Sequence, residues 1–517
     1  MRIICKSCLC LLGIAGIIAA GEAPVLAQKP APAAPKDAVD LTPPASILTD
    51  EFKPIDLPSA LRLAGAQNPE IQLAQERVLE AVALRQLAAA QFLPNLNMGS
   101  NLDAHTGVLQ QANGNILHVN RDSLYVGLGA NAVAAGSVGI PGVVWSGNLS
   151  DTIYGALVSK QVVRQRQFAS VATRNEMLLR VAAAYLDLLR AEGRRAIAIQ
   201  NRDEVREVAR VTAEFVAART GRQADADRAR TEWEQRNAEV LDAEGQMLTA
   251  SAALCRLLGL DPSVRLRAQE TYVVPEPIVP PPVPVAELLA MAVTQRPEVG
   301  ERQAAIRAAL LQLRAAKILP FSPNMLVGYS IGEFGGGSNL VAQGIPQPGG
   351  GVLVKDRFGS FADRQDFDAI LFWSLRNMGI GNVAMIRRAR SEFRSENLRE
   401  LEVLDRIRSE VASAYARAHA RYAQIDTAER AIRTSDRAFK ADYIRTRNRE
   451  GLPIEVLDSL RLLSRSRFAY LDAIIGYNLA QFELYVALGQ PPADWLARPV
   501  PAALVPPVQG PPPAAPK

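Results

Sequence analysis

Three histidines, His105, His118 and His419, are the only imidazoles in the chain, and they lie far apart in sequence. His419 sits two residues from both Arg417 and Arg421, the setting of a helix surface. Of the four cysteines, Cys5, Cys8 and Cys10 gather at the N-terminus and Cys255 stands alone. No His/Cys spacing suits a metal, no glycine-rich loop ends in Lys-Ser/Thr to cradle phosphate, and no nucleophile elbow is present. These residue types argue against an enzyme and call for no cofactor or metal. What remains is charge. Lys and Arg number 58, Asp and Glu 53, and the two signs interleave along the chain rather than forming one basic face. That pattern predicts a solvated helix surface and no nucleic-acid interface.

The elements that carry these charges are mostly helical. Only 6% of the 517 residues are aromatic while 48% are hydrophobic, and alanine is abundant, a composition of long, closely packed helices. Arg2 and Lys6 precede a short apolar run, Leu9 to Ala20, and Val25-Leu26-Ala27 suits cleavage. Residues 1–27 therefore read as a signal peptide, with a retained membrane anchor as the alternative. The three N-terminal cysteines precede the apolar run, so the chain is not expected to be a lipoprotein. An exported chain with Cys255 alone forms no internal disulfide. No later stretch is long enough for a transmembrane helix, so any crossing must use strands.

The most informative feature is self-similarity. Asn68-Pro69-Glu70-Ile71 recurs as Arg296-Pro297-Glu298-Val299, and Trp145-Ser146 as Trp373-Ser374, each 228 residues on. Val181-Ala-Ala-Ala-Tyr185 recurs as Val411-Ala-Ser-Ala-Tyr415, Gly221 as Gly451, and Leu258-Gly259 as Leu488-Gly489, each 230 residues on. Landmarks in one order at nearly one offset predict two internal repeats, residues 51–262 and 286–490. Proline-rich stretches punctuate them: a leading linker at 28–50, an inter-repeat linker at 263–285 and a tail at 491–517. Such stretches are not helical and run extended or mobile.

Each repeat reads as a helix, extended segments, a very long helix, a glycine turn and a second long helix. The first helix is predicted from Leu57 to just before Pro94, with Ile71, Ala74, Val78, Ala81 and Ala88 as a seam of small knobs broken by Arg85. No proline interrupts Pro141 to Pro262 or Pro348 to Pro453, which predicts helices over 154–220 and 382–450 on the order of 100 Å long. Gly193 is a weak point in the first. Helices of that length need a bundle or barrel of similar helices.

The extended segments alternate with period two. Leu96, Met98 and Leu102 share one face of the first, Leu124, Val126 and Leu128 of the second, Met325, Val327, Tyr329 and Ile331 of the third, and Phe367, Leu371 and Trp373 of the fourth. Small and polar residues take the other face, although Ile370 and Phe372 blur it in the fourth segment. About ten residues per strand with this alternation suits a barrel with lipid outside and water inside, although a soluble sheet with one wet face alternates the same way. Residues 106–122 and 333–366 are predicted as the loops at the hairpin ends. Four strands leave open edges that lipid does not tolerate, so copies must combine into a closed homo-oligomer.

With its duplicated Leu-x3-Leu…Asn-Pro-Glu-Ile opening (Leu57, Leu61, Asn68–Ile71; Leu288, Pro297–Val299), Phe92-Leu93-Pro94 and Ile318-Leu319-Pro320 before the strands, Gly451-Leu452…Val456-Leu457-Asp458, and Leu-Gly endings, the chain resembles the TolC-like outer-membrane efflux family over roughly residues 51 to 490. The resemblance implies a mainly α fold with a transmembrane β part. Long antiparallel helices form a helical barrel reaching into the periplasm, and each subunit of a homotrimer adds four strands to a shared β-barrel in outer-membrane lipid. It implies a non-catalytic exit duct of a tripartite efflux or type I secretion system, working with a periplasmic adaptor protein and an inner-membrane pump of RND or ABC type. The adaptor-docking tips correspond to Thr220-Gly221 and Gly451-Leu452, where a left-handed turn between helices wants glycine. The periplasmic gate corresponds to Glu455 and Asp458, with Asp225 and Asp227 as parallel candidates. Symmetric copies would crowd these carboxylates into a ring that attracts cations, although acids there also favour the start of the outgoing helix. The competing reading is a periplasmic coiled-coil scaffold or adaptor without transport activity. It accounts for the heptads and not for paired alternating strands with Tyr329 and Trp373 on the apolar face.

Overall fold

A computed structural model describes residues 52–132, 138–270, 272–279, 283–338 and 359–490, together with the short strands Ile345–Pro346 and Val352–Leu353. The expected signal peptide (1–27), leading linker (28–50) and tail (491–517) lie outside the described residues.

After the strand β1 (Lys53–Ile55), the helix expected to run unbroken to Pro94 is two helices, α1 (Leu57–Gln67) and α2 (Pro69–Ala90). Pro69 disfavours helical backbone at the residue before it, and Asn68 takes ψ 124°. Asn68 turns the break into a joint. Its Oδ1 accepts from the Glu70 amide at 2.8 Å, and its Nδ2 donates to the Leu257 carbonyl at 2.7 Å. Ile71, Ala74 and Ala81 of the expected seam are buried on α2 and Arg85 is exposed.

The strands follow: β2 (Asn95–Leu96), β3 (Met98–Gln110), β4 (Ile116–Ala132), β5 (Val138–Pro141) and β6 (Val143–Asn148). Next come α3 (Leu149–Ala217), α4 (Gln223–Leu258) and β7 (Leu266–Ala268), which pairs in parallel with β1. The chain continues with α5 (Val285–Gln295), α6 (Pro297–Ile318), β8 (Asn324–Ser338), the small pair β9 (Ile345–Pro346) and β10 (Val352–Leu353), β11 (Gly359–Phe372), α7 (Ile380–Arg447) and α8 (Pro453–Ala487). At the α5–α6 break stands Arg296, which has no acceptor to cap a helix. Its guanidinium pairs instead with Glu298 at 2.7 Å and with Glu410.

The 69 residues of α3 and 68 of α7 span about 100 Å each at 1.5 Å per residue. Each packs along the shorter helix that follows it, and α3 also packs on α8. Leu178, Tyr185, Leu188, Leu254, Leu258, Ile475 and Phe482 are buried in the largest core cluster, where the first hairpin meets α8. Gly193, expected as a weak point, is a notch in this contact: a Cβ there would lie 2.8 Å from Leu471 Cδ2. The Leu-Gly endings close α4 and α8 with left-handed Gly259 (φ 70°) and Gly489 (φ 86°). Added methyls would press on Gln67 at 3.2 Å and on Gln295 at 2.8 Å, so each glycine seats on the kink that opens its own half.

The described part of the inter-repeat linker is extended and held. Asn478 and Gln481, one turn apart on α8, accept from the Glu276 and Val279 amides at 2.9 and 3.0 Å, and Asn478 donates to the Val274 carbonyl at 2.9 Å. Two buried polar side chains thus supply the hydrogen bonds that a sheet partner would otherwise give.

Candidate functional site: a two-faced sheet and the paired helical tips

One antiparallel sheet holds the strands expected from the alternation, in the order β3-β4-β8-β11. β4 and β6 share one edge of β8, with Arg121–Leu128 opposite Ile331–Ser338 and Val143–Asn148 opposite Asn324–Tyr329. Among the described residues, β3 pairs only with β4 and β11 only with β8, so both outer edges are free. The strands are longer than predicted. Much of the expected loops 106–122 and 333–366 is ladder: only 111–115 turns between β3 and β4, β8 runs to Ser338, and β11 starts at Gly359. Glycine, asparagine and aspartate on both faces erase the alternation there, while the backbone pairing continues without it.

Register places the twelve expected strand positions on one face. Leu102 lies opposite Leu124, Met98 opposite Leu128, and Leu128 opposite Ile331. Tyr329 lies opposite Phe367 and Met325 opposite Leu371, while Leu96 and Tyr329 both face Val143. Val126 lies opposite Glu333 and Val327 opposite Ala369 on that same face. Trp373 follows the last residue of β11. This face is bare on its outer strands, where Leu96, Met98, Leu102 and Phe367 are 64%, 76%, 67% and 69% exposed, while Leu124, Val126, Leu128, Met325 and Val327 between them are half-buried. The other face is mainly polar and half-buried, although Ile370 and Phe372 stand exposed on it at 53% and 51%. It holds Asn101, Asp103, Ser123, Ser330, Arg364 and Asp366, with Arg121 on Asp103 at 3.3 Å and Arg364 on Asp366 at 2.8 Å. A sheet that folded to keep oil from water would present these faces the other way round.

Tyr125, which the alternation does not single out, is fully buried on the polar face. Its ring lies over Gly332, where a Cβ would sit 2.9 Å from Cζ, and its hydroxyl donates to the Leu128 carbonyl at 2.7 Å. The apolar band has two ends. At one, Trp145 Nε1 donates to the Gln91 carbonyl at 2.8 Å and Trp373 Nε1 to the Phe321 carbonyl at 3.2 Å. At the other, Glu333 and Asp363 face each other directly across β8 and β11. From Trp373 to Gln365 is about 26 Å at 3.3 Å per residue, close to the height of a membrane barrel's apolar girdle. No helix among the described residues is long and apolar enough to cross a membrane.

The far ends of the hairpins are two similar turns. Glycine was expected to take the left-handed position; Arg219 (φ 56°) and Arg449 (φ 65°) take it instead. Gly221 and Gly451 serve closeness. A Cβ on Gly221 would lie 2.9 Å from Phe215 Cβ, and one on Gly451 3.2 Å from Thr446 Oγ1. The chain doubles back so tightly that the Thr220 and Gly221 amides both donate to the Phe215 carbonyl at 2.9 Å. Thr220, Gly221 and Leu452 are exposed, and Gly451 is half-buried.

The four expected acids differ. Glu455 accepts from the Leu452 amide at 3.3 Å and lies 3.9 Å from Arg445, so it caps α8. Asp225 pairs with Arg228 at 3.2 Å, and Asp227 accepts from Gln223 at 3.0 Å. Asp458 is exposed and makes no such bond among the described residues, though its charge acts on Arg461. Val208, Ala229, Val456 and Leu457 pack together behind them and join the two tips.

Sequence reasoning missed the polar ties between the hairpins. Asp472 holds Arg194 at 2.7 Å. Arg467 reaches both oxygens of Glu204, at 2.7 and 2.8 Å, and Asn201 Oδ1 at 2.7 Å. Asn201 also donates to Ser464 at 2.8 Å. Arg461 binds Glu232, and Tyr443 donates to Glu207 at 3.2 Å. A signal was present: Asn201 interrupts a buried stripe of Ala198, Val205 and Val208 at helical spacing. A hydrogen bond from Arg210 holds the Glu207 carboxyl below its usual range. Burial opposes ionisation of Glu232, but the hydrogen bonds from Arg461 and Arg236 outweigh it and its carboxyl is lowered. Burial, then the neighbouring Glu207, raises the Tyr443 hydroxyl.

No protein-family model and no curated protein sequence matches the chain. Solved structures do. The CmeC outer membrane channel of Campylobacter jejuni is 13% identical, with 84% of this chain aligned to 85% of that one at a TM-score of 0.68. The outer membrane protein VceC of Vibrio cholerae is 15% identical over 84% and 96% of the two chains, TM-score 0.63. The open-state MtrE outer membrane channel of Neisseria gonorrhoeae is 17% identical over 84% and 89%, TM-score 0.59. The fold is therefore that of bacterial outer-membrane channels. Within that class it is the TolC-like fold.

Proposed function

We propose that three copies of this chain, each built from two structural repeats, close one β-barrel in the outer membrane and continue it inward as a helical barrel. The assembly is an exit duct for substrates delivered by an inner-membrane pump of RND or ABC type. One observation carries the reading: the sheet gathers large apolar side chains on one face, with Leu96, Met98, Leu102 and Phe367 bare on it, and its β3 and β11 edges are free. Unpaired backbone in hydrocarbon costs several kcal/mol per group, by the usual order of magnitude, and sister edges satisfy it. Leu96, Met98, Leu102, Leu124, Val126, Leu128, Met325, Val327, Tyr329, Ile331, Phe367, Leu371 and Trp373 then meet lipid. The exposed tips at Thr220-Gly221 and Gly451-Leu452 meet a periplasmic adaptor. Asp458, which makes no hydrogen bond among the described residues and whose charge acts on Arg461, is the gate acid, together with Glu455, Asp225 and Asp227. The hairpin ties must break for the tips to part, which makes them closing contacts.

The test is direct. Membranes from expressing cells are washed with carbonate, and the purified protein is run on a gel with and without boiling and added to a planar bilayer. Retention, a heat-sensitive band and stepwise conductance are expected. Release by carbonate with a monomeric, non-conducting product would instead identify a periplasmic scaffold.

A further inference from the structure

The join between β11 and α7 has no counterpart in the first half. There β6 ends at Asn148 and α3 begins at the next residue. In the second half seven residues, Trp373 to Gly379, intervene. Three in a row, Asn377, Met378 and Gly379, are left-handed, with φ 48°, 58° and 89°. Two of them carry a Cβ for which that backbone is unfavourable, so something must hold the turn. The Arg376 amide donates to Oδ1 of buried Asn382 at 2.8 Å. The Arg376 carbonyl passes so near Gly381 that a Cβ there would lie 3.0 Å away.

What this fixed turn presents is apolar, and none of the described residues covers it. Leu375, Met378 and Ile380 are exposed, Met378 at 93%. Phe321, whose carbonyl accepts from Trp373, is exposed as well. The patch continues the outward face of β11 past Leu371 and Trp373, at the aromatic end of the apolar band. Two exposed cations flank it in sequence: Arg376 in the turn, whose Nη1 donates to Met385 Sδ at 3.4 Å, and Lys317 one helical turn before Phe321. Neither forms an ion pair among the described residues. An apolar projection with cations at its margin fits the boundary between phosphodiester head groups and acyl chains.

We propose that Trp373–Ile380 is an interfacial anchor that seats in the inward-facing phospholipid leaflet and sets the depth of the barrel. It rests on reading the outward sheet face as lipid-facing. The full chain, with its four cysteines changed to Ser, is given Met378→Cys, Leu102→Cys or Thr220→Cys and a nitroxide label. It is reconstituted in vesicles of phosphatidylethanolamine and phosphatidylglycerol, and collisions with oxygen and with a water-soluble nickel chelate are measured. The label at 378 should favour oxygen, less strongly than at 102, with nickel access at least several-fold below that at 220. Nickel access at 378 equal to that at 220, with 102 in lipid, overturns the anchor and leaves the barrel standing. Shielding of 378 from both reagents, the mark of a second copy packed over it, overturns it too. Water access at 102 sinks the barrel reading and the anchor with it.

Discussion

Glu232 on α4 accepts two hydrogen bonds from Arg461 on α8, from Nε at 3.2 Å and Nη2 at 2.5 Å, while Arg236 donates to its other oxygen at 2.8 Å. The Glu232 side chain is only 4% exposed, so the first hairpin keeps a buried charge that the second helps to neutralise. Losing one partner of a buried pair costs about 3–5 kcal/mol. Because the Arg461 side chain is half in solvent, we expect Glu232→Gln to cost about 1–3 kcal/mol. It should lower the unfolding temperature and raise basal conductance in a planar bilayer. Arg461→Met should do less, since Arg236 remains. Unchanged melting and conductance in Glu232→Gln would show that the tie holds nothing closed.

The same ties predict an acid response. Glu207 and Glu232 have lowered carboxyl pKa values when folded. Their contribution is present above the ordinary carboxylate value of about 4.3 and fades as pH falls through the lowered folded values. Conductance should therefore be flat from about pH 7 to 5 and rise below about pH 4. In Glu207→Gln with Glu232→Gln the rise should disappear because the channel is already loosened at neutral pH. A wild-type profile retained in that double variant refutes the assignment.

Near β1 and the linker the sign reverses. Burial first, and the charge of Glu270 second, raise the Glu276 carboxyl, and burial likewise raises Glu270, to which Tyr185 donates. A raised acid holds its proton longer when folded than unfolded, so stability falls as pH climbs through the raised value. Glu276→Gln should raise the melting temperature at pH 8 and leave it unchanged at pH 4. An equal shift at both pH values would point to packing instead.

At the tips, Arg219→Gly relieves a left-handed side-chain residue and should be neutral or stabilising by up to about 1 kcal/mol. Gly221→Ala should loosen the turn, because its methyl meets Phe215 at 2.9 Å. Gly451→Ala, facing the Thr446 hydroxyl at 3.2 Å, should be milder. Amide hydrogen exchange over 214–226 and 444–456 reads all three. Faster exchange in Arg219→Gly than in Gly221→Ala would contradict the geometry.

Asp458 and Glu455 separate by role. Asp458→Asn should weaken block by divalent cations with no change in melting. Glu455→Ala should cost roughly 0.5–1 kcal/mol through the lost cap. Block unaltered in Asp458→Asn removes it from the gate and leaves the duct intact.

The parts legible in the sequence were those with a single physical cause. Absence of proline was enough to place α3 and α7 within a few residues of their ends, since little else stops an amphipathic helix. The faces of β3, β4, β8 and β11 followed from period two wherever apolar residues alternated with small or polar ones. Where both faces turn polar, as at Asn120–Asp122 or Glu333–Gly337, the period vanishes and the strands were read too short. Asn68 was visible as part of a motif, but its use as a joint depends on Leu257, which packs there only once α4 has folded back. The tip glycines were assigned the wrong conformation because φ at a turn depends on which residue of the loop makes the reversal, and Arg219 does so one step before Thr220. The ties among Glu232, Arg461, Glu204 and Arg467 join residues more than two hundred positions apart, and no local pattern marks them.

The Gly193–Leu471 notch leaves the first hairpin and α8 no room to slide at that level, so motion there must pivot. The first tip begins 24 residues further along α3, about 36 Å away at 1.5 Å per residue. A tilt of about 10° at this fulcrum would sweep it roughly 6 Å sideways while the sheet at the opposite end of the lever keeps its register. An aperture worked this way widens without unfolding any helix, and filling the notch with a methyl group would jam it.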